Sequence, residues 1–400
     1  MTILPKNPAA ICNINGRLTC SRLRTIQLCS FYLLSITSPC IAQEMSVPDL
    51  PSGTRLEKLM DGFDVLWGLE PLSENEVLLT QKNGKMFFVD FGKKKRFEIS
   101  GIPQVSTSGQ AGLLDVRLSP NFSKEKLIYL TYSKKTDQGD TTALIRAKLD
   151  TNKYNISATE ELFVGKTDNS GGVHFGSRIA FDSVGHLYFG IGDRGERERA
   201  QELNWHNGKI IRLKLDGRIP GDNPFVGQRN ARPEIFSFGH RNPQGLYYSK
   251  KLDKLFNSEH GPRGGDEINE IRKGLNYGWP VVTYGREYYG PKIGEGQTKA
   301  GMEQPLKVYI PSIAPSSLIV YESGIIKAFT NSFLLGALAL QHLNVVSLDG
   351  KTERRFLQSM AKRFRQVKEG LDGSVFLTTD SGEIFRLFSN ADHKPLSVRK

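Results

Sequence analysis

Cysteine is missing from most of this 400-residue chain. Its four cysteines all fall within the first forty residues, at Cys12, Cys20, Cys29 and Cys40. If that segment is removed on export, the remaining protein has no disulfide, no thiolate nucleophile and no zinc–cysteine site. Its stability must then come from a packed core, with or without a bound ion.

Acidic side chains are also missing from the start of the chain, since the first acid is Glu44. An apolar stretch from about Ile26 to Ile36 is followed by small residues that end in Ala42-Gln43. The basic residues ahead of it are Lys6, Arg17, Arg22 and Arg24. This order is typical of a secretory signal peptide, and the apolar run is too short and too polar for a stable membrane span. We therefore predict a signal peptide at residues 1–43, export to the periplasm and a single domain at residues 44–400.

A concentrated basic surface is absent as well, although the formal net charge is +12. Without the leader the net charge is about +8, and the positive residues are scattered. The one dense run, Lys93-Lys94-Lys95-Arg96, follows a strand and is typical of a solvated loop. This distribution argues against a nucleic-acid partner, and a basic interior would suit a small anionic ligand.

The chain has 40 glycines and 19 prolines, which indicates short strands joined by tight turns rather than long helices. A polar turn followed by an apolar-aromatic strand recurs six times. The six strands are Val77–Thr80, Leu127–Leu130, His186–Phe189, Leu255–Phe256, Phe333–Leu335 and Val375–Thr378. Repeats at roughly 40 to 80 residues predict an all-β propeller with blades of about four strands, and a large β-sandwich is the alternative.

One short motif matches a dinucleotide-binding pattern but lacks the surrounding secondary structure that such a site needs. Gly190–Gly195 fits G-x-G-x-x-G after a strand, but no βαβ unit surrounds it. We interpret its glycines as letting a loop turn back at the end of a blade strand. Upstream, His174 lies among small residues ahead of the strand Ile179–Phe181, where it is either a general base or a structural histidine.

Two later segments concentrate polar groups. In Gly239–Gly245, Pro and Gly fix the backbone, which favours Arg241 and Asn242 as a preset pair facing an anion or a carbonyl. Glu259–Glu267 combines acids with glycine-exposed carbonyls, which suits a hard cation such as Ca²⁺ despite the absence of EF-hand spacing.

A pair of arginines near the end of the chain completes the set. Arg363 and Arg365 are two positions apart, so on a strand they point to the same side and either share an anion or face solvent. Together these segments predict a basic, oxygen-rich pocket built from several repeats. A polyanionic cofactor held by arginines and a calcium ion would explain it.

Ordered blocks along nearly all of residues 44–400 resemble the soluble PQQ-dependent aldose sugar dehydrogenases, relatives of soluble quinoprotein glucose dehydrogenase. The resemblance implies a six-bladed β-propeller that oxidises the anomeric carbon of a glucose-type aldose to the lactone. It implies PQQ and Ca²⁺ as cofactors, an unidentified electron acceptor, and a monomer or homodimer. The blocks are Gln110–Leu114, His174–Arg178, Gly192–Glu196, Arg199–Gln201, Asp222–Phe225, Gly239–Gly245, Ser258–Asn269, Asn276–Pro280 and Pro311–Ser316.

The resemblance also implies a role for individual residues. His174 would be the base that takes the proton from the anomeric hydroxyl. Cofactor contacts would come from Gln110, from Arg241 and Asn242 at the quinone oxygens, and from Arg363 and Arg365 at the carboxylates. Calcium ligands would be the backbone oxygens of Gly261 and Pro262, with Glu267 and Tyr277 at a second, structural calcium.

Two positions depart from the family pattern. Ala339 stands where a lysine usually contacts PQQ, and Ser177 stands beside the base where glycine is usual. The missing cation motivates an alternative, a redox-inactive propeller that binds a sugar or a partner. A metal-dependent lactonase is a third hypothesis, but it would need a cluster of carboxylate ligands.

Overall fold

The computed structural model describes residues 43–169 and 171–392. The predicted signal peptide of residues 1–43, apart from Gln43, lies outside the described residues. Within the described part no helix is long and apolar enough to cross a membrane. The regular helices are short: α1 (Phe122–Glu125) and the 3₁₀ turns Arg197–Ala200, Lys327–Phe329, Gln358–Met360 and Asn390–Asp392.

Within the described ranges, twenty-five strands form six antiparallel sheets. The chain begins with β1 (Gln43–Met45) and β2 (Thr54–Met60). Blade 1 contains β3 (Leu66–Pro71), β4 (Glu76–Gln81), β5 (Met86–Asp90) and β6 (Lys95–Glu98). Blade 2 contains β7 (Leu113–Leu118), β8 (Leu127–Thr136), β9 (Gly139–Asp150) and β10 (Asn155–Val164). Blade 3 contains β11 (Ile179–Phe181), β12 (His186–Ile191), β13 (Lys209–Lys214) and β14 (Ile235–Phe238).

The remaining three blades follow the same plan. Blade 4 contains β15 (Pro243–Ser249), β16 (Lys254–Glu259), β17 (Asp266–Ile271) and β18 (Lys307–Tyr309). Blade 5 contains β19 (Pro315–Val320), β20 (Ser332–Ala337), β21 (His342–Ser347) and β22 (Glu353–Phe356). Blade 6 contains β23 (Phe364–Glu369), β24 (Val375–Thr379) and β25 (Ile384–Ser389), and β2 and β1 complete it.

The architecture is a six-bladed β-propeller with four-stranded blades, the sixth extended at its edge by β1, which confirms the predicted fold and excludes the sandwich. Each of the six repeated strands found in the sequence is the second strand of its blade. The pattern was visible because these strands are buried along nearly their whole length, so they read as apolar runs.

Both ends of the described chain meet in blade 6. β2 pairs antiparallel with β25, with Leu56 opposite Leu387, so the first long strand completes the last blade. This pairing of the two ends closes the ring.

Aromatic and aliphatic side chains fill the space between blades. Phe91 of blade 1 stacks on Phe376 of blade 6 with ring centroids 5.9 Å apart, and Phe256 meets Phe333 across blades 4 and 5 at 4.9 Å. Each buried side chain of this size contributes roughly 1.5–3 kcal/mol. The first strands of neighbouring blades contact one another around the ring, which fixes the positions of the loops that precede them.

Candidate active site

The candidate site lies at one end of the propeller. In each blade the first strand runs away from this end and the second strand returns to it, so two kinds of loop meet there. Ahead of the first strands lie Gln110, His174, Arg241, Asn242 and Arg363, and after the second strands lie Lys82, Asp193 and His260.

His174 is held by a buried carboxylate. Its Nδ1 lies 2.6 Å from Oδ1 of Asp193, and the indole Nε1 of Trp279 donates to Oδ2 at 2.8 Å. Burial raises the pKa of Asp193, but its hydrogen bond with His174, the backbone N–H of Gly195 and nearby positive charge hold that pKa below its usual value. An ionised Asp193 favours the tautomer with a proton on Nδ1, which leaves Nε2 as the basic nitrogen.

The backbone around His174 is tightly fitted. Gln110 Oε1 accepts a hydrogen bond from the His174 backbone N–H at 2.8 Å, so the predicted cofactor contact and the predicted base are linked directly. A Cβ added at Gly192 would lie 2.2 Å from the His174 carbonyl oxygen. Glycine is needed there because the loop that carries Asp193 passes directly against the histidine backbone. Gly192 of the G-x-G-x-x-G motif therefore allows this loop to pack closely against the backbone of His174.

Ser177 departs from the family pattern at a strained position. Its φ is 102°, in the region that favours glycine, and it is buried. Its Oγ has no hydrogen-bond partner among the described residues. The Cβ and hydroxyl thus cost conformational energy beside the base without a compensating hydrogen bond.

A cavity of about 170 Å³ is lined by Phe175, the residue after His174, and by Gln110, which binds the His174 backbone, although His174 itself does not line it. Its charged side chains are all cationic: Lys82, Arg363 and Arg365 line it, and no carboxylate does among the described residues. Trp67 and Phe175 supply aromatic surface. The remaining lining residues are Gly109, Gln110, Leu114, Gly176, Gln244, His260 and Leu338. The cavity is therefore suited to a flat, anionic ligand.

Arg363 and Arg365 share an anion, one of the two outcomes that their spacing predicts. Nε of each guanidinium lies 2.8 Å from a different oxygen of Asp380. Burial raises the pKa of Asp380, but the two arginines hold it below its usual value. One carboxylate offsets only one of the two positive charges, so the pair stays net cationic toward the cavity.

Arg241 and Asn242 do not line this cavity but contact residues that do: Arg241 binds His260, and Asn242 Oδ1 accepts a hydrogen bond from Gln244 Nε2. Arg241 Nη1 donates to the backbone oxygens of His260 at 3.1 Å and Gly261 at 2.8 Å, and the guanidinium lies 5.4 Å from the Trp279 ring centroid. Asn242 is buried, and its Nδ2 has no partner among the described residues. An unpaired buried amide donor is costly and calls for an acceptor such as a ligand oxygen.

His260 stays neutral between the arginines. Burial, followed by the charges of Arg241 and Arg365, lowers the pKa of His260 to about 3. Its Nε2 donates to the Pro315 carbonyl at 2.8 Å, so this ring is a neutral wall of the cavity.

A second, acidic void lies under blade 4. Its volume is about 20 Å³, and two acids, Glu259 and Glu267, line it together with Gly261, Tyr277 and the cationic Arg241. Glu259 and Glu267 are directly opposite each other on β16 and β17. Burial, together with the charge of Glu259, raises the pKa of Glu267 to about 8. Two buried carboxylates this close need a shared proton or a cation.

Three of the four predicted calcium ligands, Gly261, Glu267 and Tyr277, line this void, and none of the four lines the cationic cavity. The Gly261 oxygen accepts from Arg241, and the Pro262 oxygen accepts from Ser312 Oγ at 3.3 Å. The Tyr277 hydroxyl donates to the Glu270 carbonyl at 2.6 Å, so its hydroxyl is already engaged. Among the described residues no three His, Asp or Glu side chains are arranged to hold a metal, so a cation here would depend on backbone oxygens.

Sequence reasoning missed two site residues. Asp193 entered the sequence analysis only within a glycine motif, although an acid two residues after a buried strand could have signalled a site at the strand end. Lys82 follows β4 in the same way and supplies a cation to the cavity. Leu338 lines the cavity but the neighbouring Ala339 is exposed, so the lysine expected at residue 339 has no substitute on its own loop.

The profile of the Glucose / Sorbosone dehydrogenase family matches residues 63–386. The chain belongs to this family. It is 37% identical to the aldose sugar dehydrogenase YliI of Escherichia coli (strain K12), over 90% of this chain and 98% of that protein. It is 28% identical to quinoprotein glucose dehydrogenase B of Acinetobacter calcoaceticus, over 82% of this chain and 85% of that protein.

Solved structures of other Glucose / Sorbosone dehydrogenase-like proteins have the same fold. The apo form of the soluble aldose sugar dehydrogenase of Escherichia coli matches with a TM-score of 0.81 and 36% identity, covering 84% of this chain and 99% of that one. The PQQ-bound aldose sugar dehydrogenase of Streptomyces coelicolor matches with a TM-score of 0.70 and 27% identity, with the same coverage. The predicted family resemblance is thereby confirmed.

Proposed function

We propose that this protein is a PQQ- and Ca²⁺-dependent aldose dehydrogenase that oxidises the anomeric carbon of a glucose-type sugar to the lactone. The main observation behind this proposal is the cationic cavity of about 170 Å³ near the His174–Asp193 pair. The relatives named as aldose sugar dehydrogenases and the PQQ-bound structure support the assignment.

The donor set of the cavity fits PQQ, which carries three carboxylates and quinone oxygens. Lys82, Arg363 and Arg365 would hold the carboxylates, and Gln110 would add a polar contact. Arg241 and the unpaired Asn242 Nδ2 would face the quinone oxygens. When bound, PQQ supplies a two-electron acceptor for the hydride from the sugar.

His174 is the proton acceptor in this proposal. Asp193 orients the imidazole, stabilises its positive form after it takes the anomeric hydroxyl proton, and is itself fixed by Trp279. The His174 side chain is 15% exposed, so a sugar can reach Nε2 while most water is kept away.

Calcium would be held at two places. The backbone oxygens of Gly261 and Pro262 would hold an ion that offsets cofactor charge, while Glu267 and the Tyr277 segment would hold a structural ion. The facing acids Glu259 and Glu267 support the second site, because a divalent cation relieves their repulsion.

Lys82 bears on the redox-inactive alternative. That alternative rests on the missing lysine at Ala339, and Lys82 brings a third cation to the cavity from blade 1. The sugar, the physiological acceptor, the periplasmic location, and the choice between monomer and homodimer remain parts of the proposal.

The test is a titration of purified apoprotein with PQQ, with and without Ca²⁺, followed by aldose oxidation with an artificial acceptor. We expect calcium-dependent PQQ binding and sugar-dependent reduction of the acceptor. Absence of both PQQ binding and turnover would contradict the proposal, and tight sugar binding without PQQ would favour the alternative.

A further inference from the structure

A long connection between β17 and β18, residues 272–306, returns to the site end of blade 4. It delivers Trp279 to Asp193 and then runs past the second-to-third strand loop of the same blade. Connections of this length without regular structure of their own are usually functional.

The two segments join through an antiparallel bridge between arginines. The backbone N–H of Arg263 donates to the Arg286 carbonyl at 3.1 Å, and the N–H of Arg286 donates back at 3.0 Å. The contact is tight, because a Cβ at Gly265 would lie 2.5 Å from the Gly285 nitrogen. Backbone packing therefore fixes the two arginines relative to each other.

Directly opposite residues of an antiparallel pair extend their side chains to the same side, and like charges there repel. Both arginines are exposed, and neither has an ion-pair or hydrogen-bond partner for its side chain among the described residues. Glu287, the acid adjacent to Arg286, is engaged with Arg197 at 2.6 Å. The pair is thus an uncompensated double positive charge.

Two exposed aromatic rings belong to the same loop. Tyr288 is 60% exposed and Tyr289 is 96% exposed. Tyrosine and arginine are the residues that most often anchor interfaces. We call Arg263, Arg286, Tyr288 and Tyr289 the rim patch.

The rim patch adjoins the proposed redox site. Arg263 is two residues from Gly261, whose oxygen binds Arg241, and Glu287, between Arg286 and Tyr288 in sequence, interacts electrostatically with Arg241. A molecule bound at the rim patch would therefore lie next to the groups assigned to the quinone.

We propose that the rim patch is the docking site for an anionic one-electron acceptor. This inference rests on the proposed function, since the acceptor must reoxidise the cofactor. Oxidation of one aldose to its lactone releases two electrons and two protons, so two acceptor molecules are each reduced by one electron and the protons pass to solvent. Paired cations raise the local concentration of an anionic acceptor and steer its encounter.

The experiment compares acceptors of equal and opposite charge on the cofactor-loaded enzyme. The probes are ferricyanide, with charge −3, and hexaammineruthenium(III), with charge +3. The R263Q/R286Q variant is matched with K250Q/K251Q, since Lys250 and Lys251 are exposed in the turn after β15 at the opposite end of blade 4. Both double variants lose the same net charge.

At low ionic strength we expect R263Q/R286Q to lose on the order of tenfold in kcat/KM for ferricyanide and to lose none for hexaammineruthenium. The loss should vanish at high salt, K250Q/K251Q should behave as the unmodified protein, and R263K/R286K should retain ferricyanide activity. An equal change in the rim and control variants would overturn the inference.

A binding measurement separates docking from turnover. Hexacyanocobaltate(III) has the charge and shape of ferricyanide but is not reduced, so calorimetric titration of the loaded enzyme measures docking alone. We expect hexacyanocobaltate to bind, with an affinity that R263Q/R286Q lowers and K250Q/K251Q leaves unchanged. An unchanged affinity in R263Q/R286Q would contradict the inference. Failure of the proposed function is distinct, because neither acceptor would then be reduced by any variant.

Discussion

The central cavity and the void under blade 4 differ in charge and in origin. The cavity is cationic and draws its charged residues from blades 1 and 6, and Phe175, the residue after His174, lines it from the loop ahead of blade 3. The void contains two carboxylates that face each other on adjacent strands of one blade, and Arg241 also lines it. The sign of the buried charge decides what each can hold, an organic anion in the first and a metal cation in the second.

The largest expected effect is at His174. His174→Ala should lower kcat by on the order of 10³-fold because it removes the general base, while PQQ binding followed by absorbance should persist. The control is His186→Gln, which removes another aspartate-paired histidine, 2.8 Å from Asp182 in blade 3. If His174→Ala and His186→Gln had comparable activity, His174 would not be the general base.

The next effect is at Asp193. Asp193→Asn should lower kcat by on the order of 10²-fold with little change in KM, because the imidazole loses its orienting counter-charge. The acid limb of the pH–rate profile should move to lower pH. Asp182→Asn is the matched control. If the pH–rate profile of Asp193→Asn were unshifted, Asp193 would contribute only to packing and would not tune His174.

The acidic void predicts a pH-dependent calcium effect. The folded pKa of Glu267, about 8, lies above its ordinary value of 4.5, so without a cation the folded state holds the extra proton and the unfolding free energy falls as pH rises from about 4.5 to 8. Saturating Ca²⁺ should add about 2–3 kcal/mol, more at pH 8 than at pH 6, because it must displace that proton.

The measurement for this prediction is the thermal midpoint at each pH with calcium or chelator. Glu267→Gln should remove both the pH slope and most of the calcium stabilisation while leaving the cationic cavity and its PQQ affinity intact. A calcium response that Glu267→Gln leaves unchanged would place the ion elsewhere.

The smallest effect concerns the cation that Ala339 does not supply. Lys82→Gln should weaken PQQ binding by roughly tenfold, about 1.4 kcal/mol, because one charge-assisted contact is lost. Ala339→Lys should recover part of that loss in the Lys82→Gln background, and Lys82→Gln should leave the calcium stabilisation unchanged. The PQQ affinities of the unmodified protein, the two single variants and the double variant, measured by fluorescence titration, decide whether the two cations are interchangeable.

Much of the fold could be predicted because the second strand of every blade is an apolar run after a polar turn, a local pattern that the sequence displays directly. The first strands were harder to recognise, since β11 has only three residues. The arginine pair was predictable from its spacing. Its partner Asp380 was not, because Asp380 lies in the turn between β24 and β25 and meets the arginines only when β24 pairs with β23.

The sequence by itself determined the repeat, the family and the residue types gathered at the site, because periodicity and motif order are properties of the chain. Only the tertiary structure decided that Asp193 binds His174, that Lys82 lines the cavity, and that Arg263 faces Arg286. These contacts join residues distant in sequence, and ring closure of the six blades brings their loops to one end.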